Sequence, residues 1–213
     1  GKKPVLAILG GAKVSSKIPI IKSLLQVADD IIIGGGMAFT FVKSMGGLIG
    51  KSIFEEDKIL EATKILELAK QKNVKLHFPT DVICSKSLTD NKLRTCFIDK
   101  IPNDFEGFDA GPESLKKFHN IIMEAKTILW NGPVGVFEED KFSKGTIKVG
   151  NSVSQSTKKG AYSLVGGGDS VAAAKKFNFQ NKVSYISTGG GAMLESIEGK
   201  VLPGIKALSE KMD

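Results

Sequence analysis

Five times along this chain a short apolar run stops at a glycine-rich turn. Val5–Leu9 precedes Gly10-Gly11, residues 31–33 precede Gly34-Gly35-Gly36, and residues 128–130 precede Asn131-Gly132-Pro133. Residues 162–165 precede Gly166-Gly167-Gly168, and residues 183–186 precede Ser187-Thr188-Gly189-Gly190-Gly191. Each run reads as a strand ending at a tight turn. The runs are continuous rather than alternating, as expected of strands covered on both faces, and several are followed by helical periodicity. The pattern is βαβα, and it predicts an α/β fold built on a doubly wound parallel sheet with helices on both faces. Such a sheet binds its ligand outside the carboxyl ends of its strands, where the five turns gather.

The helices between the turns are legible. Ser52 and Glu55 have capping-box spacing, Glu55, Glu56 and Asp57 suit a helix N-terminus, and Ile59, Ala62, Leu66 and Ala69 then recur on one face, so a helix is expected to run to near Asn73. Residues 74–78 read as a strand, and 113–125, 142–157 and 170–176 as helices. The stretch from 81 to 109 is less regular, with turn signals at Asp90-Asn91 and Pro102-Asn103-Asp104, and reads as a β-rich excursion.

With 213 residues, of which 41% are hydrophobic and 25% charged, the chain matches ordinary globular usage and reads as one large domain rather than a disordered or fibrous protein. No apolar run is long enough to span a bilayer, and the first residues lead into a strand rather than a signal peptide. Cys84 and Cys96 have neither disulfide-framework nor zinc-site spacing and read as reduced thiols of a cytoplasmic protein. The formal net charge is +7, yet of 30 basic residues only Arg94 is arginine. Bidentate guanidinium contacts to phosphate or guanine are therefore almost lacking, which argues against a nucleic-acid reader.

Glycine turns at strand ends let backbone N–H groups approach an anion, and the helix that follows adds the positive end of its dipole. The alternative is that glycine merely permits tight turns. Two familiar phosphate motifs are absent: no Gly-x-Gly-x-x-Gly follows a strand, and the Walker-like stretch at 45–52 has Met45 where its leading glycine belongs. Lys13 and Lys17 follow the first turn at i, i+4, so a helix starting near Lys13 would place both ammoniums on one face, either beside a transferring phosphoryl group or simply in solvent. Asp169 follows Gly168 at a helix opening, as an N-cap or as a partner of a Mg-nucleotide. His77 and His119 suggest no hydrolytic arrangement, and Cys84 reads as a buried inert thiol.

Taken in order, Leu9-Gly10-Gly11-Ala12-Lys13-Val14, the 33–41 segment Ile-Gly-Gly-Gly-Met-Ala-Phe-Thr-Phe, the 130–138 segment Trp-Asn-Gly-Pro-Val-Gly-Val-Phe-Glu, Gly166-Gly167-Gly168-Asp169-Ser170 and Ser187-Thr188-Gly189-Gly190-Gly191-Ala192 resemble the nucleotide-domain motifs of the phosphoglycerate kinase family. The resemblance runs over essentially the whole chain. It implies a Rossmann-like carboxy-terminal half that binds ADP or ATP with Mg2+, in a monomeric glycolytic enzyme that moves phosphate between 1,3-bisphosphoglycerate and ADP, with 3-phosphoglycerate as the other product. It implies adenine contacts from Gly11, Gly35, Gly36, Gly107, Phe108 and Pro133, with Ala12 also in the nucleotide site, and ribose contacts from Glu138. By the same resemblance, Asn131 and Lys17 are expected to meet phosphates, Lys13 and Lys17 to stabilise the transferring group together with the turns at Gly168 and Gly191, Gly167, Gly168 and Ser170 to face phosphates, and Asp169 to hold the metal.

Four positions depart from the family pattern: Ser16 stands where Asp is usual, Tyr185 where His is usual, and Met193 and Ser196 alter the last glycine helix. They are expected to change local packing rather than reaction type. Residues 1–198 are expected to form the nucleotide domain and 199–213 a tail packing on an amino-terminal domain that the chain lacks, and the chain alone is expected to be inactive. A non-catalytic nucleotide sensor is the competing reading, but adenosine binding alone does not require Lys13, Lys17 and Asp169 together.

Overall fold

The structure is a computed structural model and describes residues 2–187. The chain runs β1 (Val5–Leu9), α1 (Ile18–Leu24), β2 (Asp30–Ile33), α2 (Met37–Ser44), β3 (Leu48–Ile49), α3 (Ile59–Gln71), β4 (Lys75–His77), β5 (Asp81–Ser85), β6 (Arg94–Phe97), β7 (Lys100–Ile101) and β8 (Glu106–Ala110). It continues through α4 (Pro112–Glu124), β9 (Thr127–Asn131), α5 (Lys144–Lys158), β10 (Tyr162–Gly166), α6 (Gly168–Lys176) and β11 (Tyr185–Ser187). All five glycine-terminated runs are strands of one six-stranded sheet, ordered β11-β10-β9-β1-β2-β4, with every pairing parallel.

The continuous apolar runs have a simple cause. Successive side chains of a strand point to opposite faces, and here both faces are covered. Ala7, Leu9, Ile31, Ile33 and Leu129 join Ile20 and Ile21 of α1, Phe41 of α2 and Ile65 of α3 in one core. Leu6, Ile8, Ile32, Ile128, Trp130 and Val165 join Phe118 and Ile122 of α4, Val149 and Val153 of α5 and Ala174 of α6 in the other. Each of the Leu, Ile, Val and Phe side chains among them contributes about 1.5–3 kcal/mol on full burial.

From β1 the chain winds outward to β2 and β4, then returns to lay β9, β10 and β11 on the opposite side of β1. The direction reverses between β1 and β9, and a crevice opens at such a switch point outside the carboxyl ends. The 81–109 stretch is the expected excursion. There β5 pairs antiparallel with both β6 and β8, and a two-stranded β3–β7 ladder lies alongside.

Several local expectations are corrected. The first helix begins at Ile18, not near Lys13, with Pro19 in its first turn. Residues before it are drawn into a turn: Ser15 donates its N–H and hydroxyl to the Glu55 carboxylate at 2.8 and 2.5 Å, and the Ser16 hydroxyl donates to the Lys13 carbonyl. No capping box forms at Ser52, because α3 starts at Ile59 after a 3-10 turn over Glu56–Lys58 and Ser52 serves a distant strand instead. Phe142 lies in a 3-10 turn ahead of α5. Asp169 is the second residue of α6 rather than its cap, which is Gly167.

Candidate functional site

Three turns interlock at the switch point. The Gly10 N–H donates to the Asn131 carbonyl at 3.0 Å, Gly11 to Pro133 at 3.1 Å, Gly35 to Val134 at 3.2 Å and Met37 to the Gly11 carbonyl at 3.0 Å. The carboxyl ends of β1, β2 and β9 are thus joined backbone to backbone. Gly35 requires its identity twice over, since its φ is +66° and an added Cβ would sit 2.7 Å from the Gly11 carbonyl oxygen.

In front of these turns lies a cavity of about 570 Å³. Gly11, Ala12, Gly35, Gly36, Gly107, Phe108, Pro133, Glu138 and Asp169 line it, so most of the residues nominated from sequence meet on one surface. Glu138 and Asp169 are exposed at its rim, and the Glu138 carbonyl receives the Lys176 ammonium at 3.1 Å.

Lys17, at the N-cap of α1, is half-buried and its ammonium donates to Asn131 Oδ1. Asn131 is buried and spends its amide N–H on the Gly166 carbonyl at 2.6 Å, while the buried Ser170 hydroxyl accepts the Gly132 N–H at 2.5 Å. These bonds connect the ends of β9 and β10 to α1 and to the start of α6. Burial lowers the Lys17 pKa, and the Asp169 carboxylate opposes that shift. Loss of hydration leaves the ammonium responsive to any added negative charge. Gly167, with φ of +95°, turns the chain into α6, and Gly168 opens that helix on the exposed side.

Lys13 is exposed in the turn before α1, which starts only at Ile18, so the two lysines do not form a one-face helical pair. Gly191 and the fifth turn from Thr188, with Met193, Ser196 and the 199–213 tail, lie outside the described residues. Among the described residues, no group of three or more His, Cys, Asp or Glu is placed to hold a metal ion. Also among them, no helix is long and apolar enough to cross a membrane. His77 and His119 are engaged with Asp30 and Ser152, and Cys84 is buried, its thiol pKa pushed up by burial and by neighbouring Cys96.

Sequence reasoning missed the apolar walls, Phe39, Ile53, Val82, Leu88, Val134 and Val136, and three wall carboxylates, Glu106, Asp109 and Glu139. Asp109 accepts the Ala110 N–H at 2.9 Å and the Gly145 N–H in the first turn of α5 at 2.7 Å. Burial lifts its pKa to about 7, against the pull of those two bonds and of Lys144. An acidic residue between Phe108 and Ala110 was the available signal for it.

A parallel sheet in this order, with interlocked glycine turns and a large cavity at its switch point, defines a doubly wound α/β protein of the Rossmann type with a ligand site outside its strand ends. The phosphoglycerate kinase family model matches residues 1–200, and the chain belongs to that family. It is 51% identical to phosphoglycerate kinase of Porphyromonas gingivalis over 97% of its own length and 50% of that protein's. To the chloroplastic phosphoglycerate kinase of Volvox carteri it is 49% identical over 99% of this chain and 46% of the relative. The structure of phosphoglycerate kinase from Coxiella burnetii superposes with a TM-score of 0.94 at 45% identity, covering 100% of this chain and 54% of that one. The chain spans about half the length of the curated relatives it matches.

Proposed function

We propose that this chain is the nucleotide-binding half of a phosphoglycerate kinase that transfers phosphate reversibly between 1,3-bisphosphoglycerate and ADP, yielding 3-phosphoglycerate and ATP in glycolysis. The observation that carries this reading is the convergence of Gly11, Gly35, Gly36, Gly107, Pro133, Glu138 and Asp169 on one cavity beside the Lys17–Asn131 pair. The base is assigned to the apolar wall around Phe108 and the interlocked turns, and the ribose to Glu138. The phosphates are assigned to Lys17, Asn131 and the amino end of α6 at Gly167, Gly168 and Ser170, where backbone N–H groups and the helix dipole favour anions.

Phosphoryl transfer needs alignment and charge neutralisation rather than a covalent protein intermediate. Lys17, partly desolvated and fixed by Asn131, is suited to oppose charge developing on the transferring group. Lys13 joins it only if its exposed side chain swings toward the cavity, and Gly168 and Gly191 are assigned backbone contacts. A single rim carboxylate, Asp169, fits Mg2+, which prefers few protein ligands beside phosphate oxygens and water. Bound there, the ion would offset phosphate charge while Asp169 fixes its position.

The acid substrate is assigned to the part of the longer relatives that this chain does not match, and residues 199–213 to packing against it. The protein is further proposed to act as a cytoplasmic monomer, without nucleic acid or membrane as partner. Calorimetric titration with ADP and Mg2+ tests the core of the reading. Saturable heat is expected, weakened by Lys17→Ala, and a folded sample giving none at millimolar nucleotide overturns it.

A further inference from the structure

Lys17 carries the phosphate end of the proposed site, yet its own helix does little to place it. Among the described residues, no side chain caps the amino end of α1, and no acidic residue stands in its first turn. The connecting residues 10–17 leave the sheet through Gly11, whose φ is +118°, and reach the helix at Ile18. Val14 is their one buried side chain, and its carbonyl accepts the Lys17 N–H at 2.8 Å.

The remaining hold comes from outside the turn. Ser15, two residues before Lys17, donates its N–H and its hydroxyl to the two oxygens of the Glu55 carboxylate, at 2.8 and 2.5 Å. Hydrogen bonds to an ionised acceptor are shorter and about twice as strong as neutral ones. Glu55 is anchored in turn, its N–H donating at 3.1 Å to the hydroxyl of Thr40, which is buried on α2. The residues ahead of it press on the same turn: a Cβ added at Gly36 would lie 2.6 Å from Ile53 and 3.0 Å from the Ala12 carbonyl oxygen. The clasp thus ties the turn to α2 on one side, while the Lys17 ammonium reaches the other way, to Asn131 at the end of β9. Lysine is a point charge on a flexible four-carbon stem, so the aim of its ammonium depends on how firmly its backbone is held.

We propose that Glu55 is a positioning residue for phosphate binding, acting through Ser15 to hold the 10–17 turn so that the Lys17 ammonium stays on Asn131 at the phosphate end of the cavity. This role rests on the nucleotide reading of the cavity. Without the clasp the turn and the lysine stem gain conformers, and that freedom must be lost again when a phosphate binds.

Nitrogen-15 NMR of the 213-residue chain reads the lysine directly, because an ammonium held on a protein acceptor exchanges its protons with water slowly. A Lys17 ammonium resonance, identified by its loss in Lys17→Ala, is expected in the unsubstituted chain. Glu55→Gln should keep it, since the amide offers an oxygen to the Ser15 N–H and an N–H that the hydroxyl can accept. Glu55→Ala should lose it at unchanged far-UV circular dichroism, and Ser15→Ala, which removes the hydroxyl donor alone, should weaken it. Calorimetric titration with Mg-ADP should then show binding about tenfold weaker in Glu55→Ala and nearly unaltered in Glu55→Gln. A resonance that is missing from the unsubstituted chain or survives both alanine variants overturns the positioning role, as does an ADP affinity that neither alanine variant changes; nucleotide binding then still stands. No heat from the unsubstituted chain at millimolar Mg-ADP overturns the nucleotide reading and this role with it.

Discussion

At Asp109 a carboxylate is held where burial opposes its charge and two backbone N–H groups favour it, and burial prevails. Between its ordinary value of 3.8 and the folded value of about 7, the folded chain retains a proton that the unfolded chain has released. Stability conferred by this group is therefore present at low pH and lost as pH rises through that window. Asp109→Asn keeps an oxygen acceptor but cannot ionise. Thermal unfolding across the window should show a shallower decline for the variant than for the unsubstituted chain, and parallel profiles would remove Asp109 from the account. Lys17 illustrates the same competition in a cation, its burial opposed by Asp169 across the cavity rim. Neither shift was visible in a list of charges, because each comes from burial that folding imposes, opposed by a group distant in sequence, Gly145 for Asp109 and Asp169 for Lys17.

Among the elements, the segment before α3 shows how a local motif loses to a tertiary partner. Ser52 and Glu55 have the spacing of a helix cap, yet Ser52 accepts the Gly107 N–H and Glu55 accepts both donors of Ser15. These bonds hold β8 and the β1–α1 turn against one short extended stretch, on two sides of the cavity. Ser52→Ala should cost about 1–3 kcal/mol in urea unfolding, since it strands a backbone donor. Hydrogen exchange separates the two roles: protection should fall at the Gly107 amide while the first turn of α3 is unchanged. Loss confined to α3 would restore the cap. The helices themselves were well marked where one face is buried, as in α4 with Phe118 and Ile122 and α3 with Ala62, Ile65 and Ala69. Their starts were not, because Pro19, Glu55 and the 3-10 turns act on the backbone locally and leave the hydrophobic period unaltered.

For the whole molecule, direct transfer requires two substrates in line, and on the proposed function the switch-point cavity holds one of them. The remaining half of the relatives' length is where the second cradle belongs on the proposed function. The 213-residue chain assayed alone should therefore show negligible phosphoryl transfer, and adding the amino-terminal half of a relative in trans should restore measurable turnover. Full turnover from these residues alone would place a complete acid-substrate site among the lysines, against the division of labour proposed here. The basic surface is nearly all lysine, with Arg94 on β6 as the one guanidinium of the chain, which suits this expectation.

Read by itself, the sequence determined that the chain is an α/β protein, which runs are buried strands and that each ends in a glycine turn. Continuous apolar runs and glycine at their ends are local statements about burial and backbone freedom, and they hold wherever the strands are placed. Tertiary structure decided the strand order around β1, the arrival of β8 from the 81–109 excursion as a cavity wall, and the separation of Lys13 from Lys17. It also decided what each carboxylate does. Glu55 and Asp109 are chemically alike in the chain, and only the donors that folding brings to them make one a tether and the other a buried strut.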